Sequence, residues 1–268
     1  MLSLLAALAL AAPVPAPTPD WVTIKGTVVW PEKQKIPERK AFDLSRAKGG
    51  DIDYIRTGGA VYDDTFQIDG TSRGLKDVMV WVRPDDDDLK AKFPADKIHP
   101  DLAKPKPVKH TVTSKYCQFD KRQVLARAGD AIEFVNAGTV AIAPQVVLGD
   151  DSGTYSMPPD AKPVVIKDLK AGVGNYHDAV HQGWKDDALQ GFPPWGRVRV
   201  FDHPYFALTN DDGEFEIKQV PKGKWRIVYL HLSGSHKGKD GWPGIKLDVD
   251  GNRDGVMTLK PLAFEKAR

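Results

Sequence analysis

Turn-forming residues at short intervals are the feature that most constrains how this chain of 268 residues can fold. The sequence holds 24 glycines and 21 prolines, spread so that a turn is expected about every ten positions, which is the spacing typical of short strands rather than of long helices. Between these turns apolar and polar residues alternate, as they do from Val22 to Trp30. The sequence therefore predicts an all-β protein, and its length leaves room for two compact domains.

The charge of the chain excludes some classes of partner. Lys and Arg number 38 against 36 Asp and Glu, which gives a net charge of +2, and the charges are interspersed, so nucleic acid is not expected as a partner. No nucleophile, paired carboxylate set or phosphate-binding loop stands out, so no enzymatic activity is expected. Cys117 is the only cysteine, so no intrachain disulfide can form and packing must stabilise the fold.

The start of the chain predicts export. An apolar run fills the first 12 residues, Ala9 and Ala11 offer a cleavage site with small residues, and a proline-rich spacer follows. The run is too short to span a bilayer. Residues 1–20 are therefore predicted to be a signal peptide and spacer, and the mature protein is expected to be periplasmic or secreted without a transmembrane segment.

Two turn motifs near the C-terminal end point to a known type of sandwich. The segments Thr209–Ile217 and Val220–Trp225 read TNDDGEFEI and VPKGKW, and both resemble the turns of the carboxypeptidase regulatory-like (transthyretin-like) domain. Gly213 and Gly223 are expected to adopt positive φ in these turns. The residues predicted to point into one core are Phe215, Ile217 and Trp225.

The resemblance extends to the first block of the chain and implies an insertion. The opening strands of that family are similar to Lys25–Val28 and Val78–Val82, so the first and third blocks are predicted to build one sandwich with a second sandwich inserted between its strands. The domains are drawn at 21–107 for the first part of the regulatory-like sandwich plus a surface linker, 108–200 for the inserted domain, and 201–268 for the second part.

Five stretches carry a second resemblance: Gly74–Val82, Ile98–Pro100, Lys115–Phe119, Ala128–Asn136 and Arg199–Thr209. Through them residues 74–232 are similar to a group of exported bacterial proteins, common in planctomycetes, that are plastocyanin-like or methylamine-utilization-like. The inserted domain therefore resembles a cupredoxin. The resemblance implies a Greek-key sandwich with a copper site.

The copper ligands implied by that resemblance are absent. The family is expected to place a His after one turn and a Cys, a His and a Met in a second segment, but residues 136–144 contain no His and residues 188–196 contain no Cys, His or Met. Blue copper needs thiolate and imidazole together, and Cys117, in the strand before the first ligand position, is a poor substitute. We therefore expect no cofactor, and a non-catalytic binding or structural protein whose type 1 copper site is lost.

A rearranged metal site is the alternative. His177 and His181 are spaced i to i+4 and would share one face if their segment were helical, as a copper-handling or electron-transfer site would require. The competing interpretation is an exposed polar turn in place of the copper loop. Asp250, Asn252 and Asp254 match the start of a calcium loop, but Pro261 stands where the bidentate Glu belongs, so a plain hairpin turn is the favoured interpretation.

A glycan is the remaining candidate ligand, beside an unknown protein partner at the cell surface or in the periplasm. Trp184, Trp195 and Trp242 lie in segments rich in glycine and proline, where exposed rings could stack on sugars as in a carbohydrate-binding accessory module. His203 is interpreted as part of a structural corner, and His231 as a histidine at the edge of the core.

Overall fold

The computed structural model describes residues 20–45, 51–63, 66–150, 152–181, 195–231, 234–235, 243–252 and 254–264. The predicted signal peptide lies outside these residues except for Asp20, and so do Trp184, Trp242 and most of the 188–196 segment. The prediction of an all-β fold is confirmed, since the described helices are α1 (Ile52–Thr57), α2 (Pro100–Ala103) and a 3₁₀ turn, Ala95–Lys97.

The strands are short, as the spacing of turn residues predicts. In chain order they are β1 (Trp21–Val29), β2 (Val78–Pro84), β3 (Lys109–Lys115), β4 (Gln118–Phe119), β5 (Gln123–Arg127), β6 (Ala131–Asn136), β7 (Pro144–Val147), β8 (Gly153–Thr154), β9 (Val164–Ile166), β10 (Gly172–Asp178), β11 (Trp195–Phe201), β12 (Phe206–Leu208), β13 (Glu214–Pro221), β14 (Gly223–His231), β15 (Gly234–Ser235), β16 (Ile245–Val249), β17 (Val256–Thr258) and β18 (Leu262–Ala263).

The first and third blocks of the chain form one sandwich, which we call the outer sandwich. One sheet has the order β13-β1-β17 with β18 also on β1, and the other has the order β12-β2-β14-β15 with β16 on β14. The antiparallel pairing of Ile24 with Ile217 joins the two blocks directly. Phe215, Ile217 and Trp225 lie in its core as predicted, and the predicted positive φ values are 74° at Gly213 and 125° at Gly223.

The middle of the chain forms a second sandwich, which we call the inserted sandwich because its strands β3 to β11 all lie between β2 and β12. Its sheets have the orders β5-β11-β10-β7-β8 and β4-β3-β6-β9. The alternation of β6 faces Ile132 and Phe134 inward. The core these residues share with Tyr176 is separate from that of the outer sandwich, so each unit buries its own apolar faces.

The segments 85–88 and 94–107, predicted to be a surface linker, are mostly exposed, but the stretch that contains them is anchored to the outer sandwich. Phe93 is 7% exposed and stacks on Trp225 with ring centres 4.6 Å apart. The acidic run is anchored as well, because Arg226 forms ion pairs with Asp85 and Asp87 at 2.7 and 2.8 Å. Burial of the Phe93 ring and the ion pairs of Arg226, on the largely buried strand β14, hold this stretch on the outer sandwich.

Candidate functional site

A buried network of charged side chains lies where β10 ends. The chain turns after Asp178 and places the imidazole of His181 beside it, with Nδ1 of His181 2.5 Å from Oδ2 of Asp178. The other carboxylate oxygen of Asp178 accepts the backbone N–H groups of Ala143 and Val180 at 2.9 and 3.1 Å. Asp178 therefore holds both the turn and the imidazole ring in place.

Two distant segments reach the other nitrogen of the same imidazole. Nε2 of His181 lies 3.0 Å from Oδ2 of Asp51 and 3.4 Å from Sγ of Cys117. Asp51 immediately precedes α1, and Cys117 lies in the hairpin between β3 and β4. His181, Asp178 and Cys117 are 3%, 1% and 1% exposed, so water has little access to the centre of the network.

The hairpin that carries Cys117 is strained. Tyr116 and Cys117 have φ values of 53° and 54°, so both central positions of this two-residue turn are left-handed, where Asn-Gly is the usual sequence. A residue with a Cβ pays about 1 kcal/mol or more for this conformation. Packing against α1 compensates, because the Tyr116 N–H donates to the hydroxyl of Tyr54 at 3.2 Å and Cys117 packs with Ile52 and Ile55.

The electrostatics of the network favour a charged imidazole. Burial by itself would lower the pKa of His181, but the hydrogen bond to Asp178 and then the contact with Cys117 raise the pKa to about 10. The ring is therefore an imidazolium at neutral pH, with a carboxylate at each nitrogen. Such a network is closed, since both ring N–H groups already have acceptors.

The prediction that His177 and His181 share a helical face is wrong. The segment is strand β10 up to Asp178, where His177 pairs with Trp195 and Gln145, and its Nε2 is buried without a hydrogen-bond partner among the described residues. The competing interpretation, an exposed polar turn, is wrong too, because His181 is buried and hydrogen-bonded to the carboxylate of Asp178. Cys117, judged a poor substitute for a copper ligand, is in contact with that imidazole.

Sequence reasoning missed Asp51 and Asp178. Nothing in the pattern marks them, because Asp51 follows a glycine pair in a polar stretch and Asp178 ends a strand without apolar alternation. Only the pairing of β10 with β7 and the docking of α1 bring these carboxylates to one imidazole. The two carboxylates are therefore brought together by tertiary contacts alone, and no spacing in the sequence could have identified them.

The residues present do not fit a type 1 copper ion. Such a site takes two imidazoles and a thiolate, whereas this network has one imidazole flanked by two carboxylates. The turn after β6 is held by its own side chain, since Nδ2 of Asn136 donates to the carbonyls of Val140 and Met157, both at 2.9 Å. Within the described residues no group of three His, Cys, Asp or Glu side chains is arranged to hold a metal ion.

The side chain of Asn252 accepts hydrogen bonds from backbone N–H groups within the calcium-like loop. Oδ1 of Asn252 accepts the backbone N–H groups of Asp254 and Val256 at 3.0 and 2.9 Å, and Asp250 lies 3.6 Å from the ammonium of Lys222. The alternative of a plain hairpin is wrong, because β16 pairs with β14 in one sheet whereas β17 pairs in parallel with β1 in the other. The loop therefore crosses between the sheets.

The remaining candidate side chains have structural roles in the described residues. Nδ1 of His203 accepts the N–H of Tyr205 at 3.1 Å, as a structural corner requires, and His231 stacks on Phe66. Burial lowers the pKa of His203 and of His231 to about 3. Trp195 opens strand β11 rather than a loop, and the guanidinium of Arg122 covers its ring at 4.6 Å, so this ring does not offer the open platform expected for sugar binding.

Comparison with known proteins gives likenesses of fold alone. No protein-family model matches the sequence, and no curated protein matches it. Among solved structures, amicyanin from Paracoccus versutus is 17% identical, with 45% of this chain and 96% of amicyanin covered and a TM-score of 0.27. A copper-containing nitrite reductase from Thermus scotoductus is 20% identical over 41% of this chain and 28% of the reductase, with a TM-score of 0.30. Both TM-scores are low, and the two sandwiches are defined by their strand orders alone.

Among the described helices, none has the length and apolar character that crossing a membrane requires.

Proposed function

We propose that the protein is a non-catalytic, exported binding or structural protein, in which a carboxypeptidase regulatory-like sandwich carries a cupredoxin-derived sandwich that has lost its type 1 copper site. The observation that carries this proposal is the closed network around His181, whose two ring nitrogens both face carboxylates. The apolar start of the sequence supports export to the periplasm or the exterior.

The protonation of His181 supports two claims of the proposal, that the copper site is lost and that the protein is not a catalyst. A histidine binds a metal only through a deprotonated nitrogen, and a pKa of about 10 keeps this ring protonated at neutral pH. General acid–base catalysis favours a pKa near the working pH, which His181 also lacks. The network is suited to holding α1 against the Cys117 hairpin and the end of β10 in the inserted sandwich.

Elemental analysis tests this function. The purified mature protein is incubated with copper, zinc and calcium, desalted and analysed for bound metal. We expect no stoichiometric copper or zinc. Stoichiometric copper would overturn the proposal, and calcium alone would implicate the Asp250 loop, with Asp254→Asn as the variant that should abolish its retention.

The second candidate is a copper-handling protein with a rearranged histidine site. One observation favours it, the approach of Cys117 Sγ to within 3.4 Å of His181 Nε2, since thiolate and imidazole are the ligands that select copper. If this candidate is right, copper retained by the unaltered protein is lost in Cys117→Ser and in His181→Asn. His177→Asn is the matched control, because that imidazole lies outside the network, and it should retain the copper.

A further inference from the structure

A cleft of about 620 Å³ separates the two sandwiches on one side of the molecule. The outer sandwich contributes Phe206–Leu208 of β12, and the inserted sandwich contributes residues of β4 and β5. Charged side chains of both signs stand around it, among them Lys76, Asp120 and Lys121. A cleft of this size is typical of a binding site, and its position between two units is a common one.

Three of the four strands that line the cleft are edge strands; the exception is β3, which contributes His110. β12 is the first strand of the sheet β12-β2-β14-β15, β5 is the first strand of the sheet β5-β11-β10-β7-β8, and β4 is the first strand of the sheet β4-β3-β6-β9. Edge strands carry backbone N–H and C=O groups that lack a neighbour within the sheet. The cleft is therefore bordered by backbone groups that can pair with another extended chain.

The backbone of β12 shows which groups these are. The N–H of Thr209 donates to the carbonyl of Val78 at 3.0 Å, and the carbonyl of Tyr205 accepts the N–H of Val82 at 2.9 Å. Since backbone groups alternate in direction along an antiparallel strand, residues 205, 207 and 209 face β2. The N–H and C=O of Leu208 and the C=O of Phe206 consequently point away from β2.

The amide oxygen of one buried side chain in the same cleft, Gln123, accepts no hydrogen bond from the described residues. Gln123 is 3% exposed and its Nε2 donates to the carbonyl of Asp77, which fixes the orientation of the amide. Its Oε1 has no partner among the described residues, although Gln123 lines the cleft. A buried acceptor without a donor is costly, so an N–H group from a ligand would be stabilising there.

We propose that an extended peptide segment of a partner protein binds in this cleft as an added strand on β12 and donates one N–H to Oε1 of Gln123. This inference depends on the proposed function as a binding protein and names the class of its partner. A peptide fits because its backbone supplies donors and acceptors in the alternation that Leu208 and Phe206 present. Its side chains would meet the half-buried Phe206 and Leu208.

The first experiment uses random ten-residue peptides displayed on phage, selected against the full mature protein. The selected peptide is then synthesised and titrated by calorimetry into the unaltered protein and into variants. Leu208→Pro removes the outward N–H, and we expect at least a tenfold weaker affinity. Leu208→Ile keeps the N–H and is the matched control, with affinity within about threefold. Gln123→Leu should weaken binding about fivefold.

Two measurements on the unaltered protein keep the test decisive even if Leu208→Pro fails to fold. N-methylation of alternate peptide amides should abolish binding in one register and leave it nearly unchanged in the other, because only every second N–H faces β12. Hydrogen exchange at Leu208 should slow at least tenfold on binding.

Several outcomes overturn the inference. These are a library that yields no binding peptide, a peptide insensitive to Leu208→Pro and to N-methylation, and displacement of the peptide by a glycan without protection of Leu208. None of these readouts depends on metal content. If the protein retains no metal and binds no peptide, only the peptide-binding inference is refuted. If it retains copper and binds peptide, only the proposed function is refuted.

Discussion

Buried histidines behave in opposite ways in the two halves of the molecule. His181 of the inserted sandwich, His203 in the segment leading to β12 and His231 of the outer sandwich are 3%, 5% and 2% exposed. The pKa of His181 is raised to about 10, whereas the pKa of each of the other two is lowered to about 3. Equal burial therefore leads to a charged ring in one place and neutral rings in the other.

The difference comes from the neighbours of each ring. His203 and His231 pack among aromatic rings, and removal from water disfavours their charged form. His181 loses water as well, but the hydrogen bond with Asp178 at 2.5 Å and the contact with Cys117 more than offset that cost. The partners of the ring, not the degree of burial alone, therefore decide the charge of a buried histidine in this fold.

The largest expected effect comes from removing the charged ring. His181→Leu leaves the buried carboxylate of Asp178 without its cation, so we expect the free energy of unfolding to fall by about 3–5 kcal/mol. Urea denaturation at pH 7 measures it. His231→Phe keeps the ring stacking and should cost about 1.5 kcal/mol or less. Equal losses in the two variants would contradict the contrast drawn between the two environments.

The pH dependence of stability should show both kinds of histidine. With an ordinary pKa of 6.5, the unfolded chain protonates His203 and His231 below pH 6.5 while the folded protein resists protonation down to about pH 3. Their contribution is present above pH 6.5 and is lost as the pH falls, at about 1.4 kcal/mol per pH unit for each histidine.

The contribution of His181 to stability changes with pH in the opposite direction. The folded protein keeps that proton up to about pH 10, so its contribution is full below pH 6.5 and is lost as the pH rises, at about 1.4 kcal/mol per pH unit. Urea midpoints between pH 4.5 and pH 9.5 should show a maximum near pH 6.5, with the acid side steeper. His181→Leu should flatten the alkaline side only. An alkaline side that survives in this variant would show that other groups produce it.

The third prediction compares glycines that face aromatic rings in the two sandwiches. A Cβ at Gly196 would lie 2.3 Å from the ring of Tyr176, and one at Gly26 would lie 2.6 Å from that of Phe215. The Tyr176 hydroxyl is tied to the carbonyl of Lys121, whereas Phe215 has no such bond. Gly196→Ala should therefore destabilise by about 3 kcal/mol and Gly26→Ala by about 1–2 kcal/mol, measured by thermal unfolding; the reverse order would contradict the role of that tether.

The fold was largely predictable because local patterns determine most of it. Alternation over β1 and β6, and the turns at Gly213 and Gly223, are short-range signals that tertiary contacts do not override. The sequence predicted that the first and third blocks form one sandwich, but it did not predict that β1 pairs with β13. The burial of Phe93 was not predicted, because one aromatic residue in a polar, proline-rich stretch gives no periodic signal.

The candidate site was predictable only as a set of unconnected residues. His181 and Cys117 stand out as residue types, but their contact depends on a left-handed hairpin and on a turn after β10. Asp51 comes from yet another segment. A helical spacing rule applied to a strand also gave the wrong geometry for His177, because the period of the segment is two and not 3.6.

The smallest expected effect separates the two groups that raise the pKa of His181. Both Asp178→Asn and Cys117→Ala should lower it, and Asp178→Asn should lower it further, because the bond to Asp178 outweighs the contact with Cys117. Histidine titration by NMR measures both shifts, with His203 as the internal control whose pKa stays near 3. Cys117→Ala should cost only about 1 kcal/mol of stability. If Cys117→Ala lowers the pKa of His181 as much as Asp178→Asn does, the thiol interacts with the imidazole as strongly as the carboxylate does. That result would favour the copper-handling candidate, which requires a thiolate beside the imidazole.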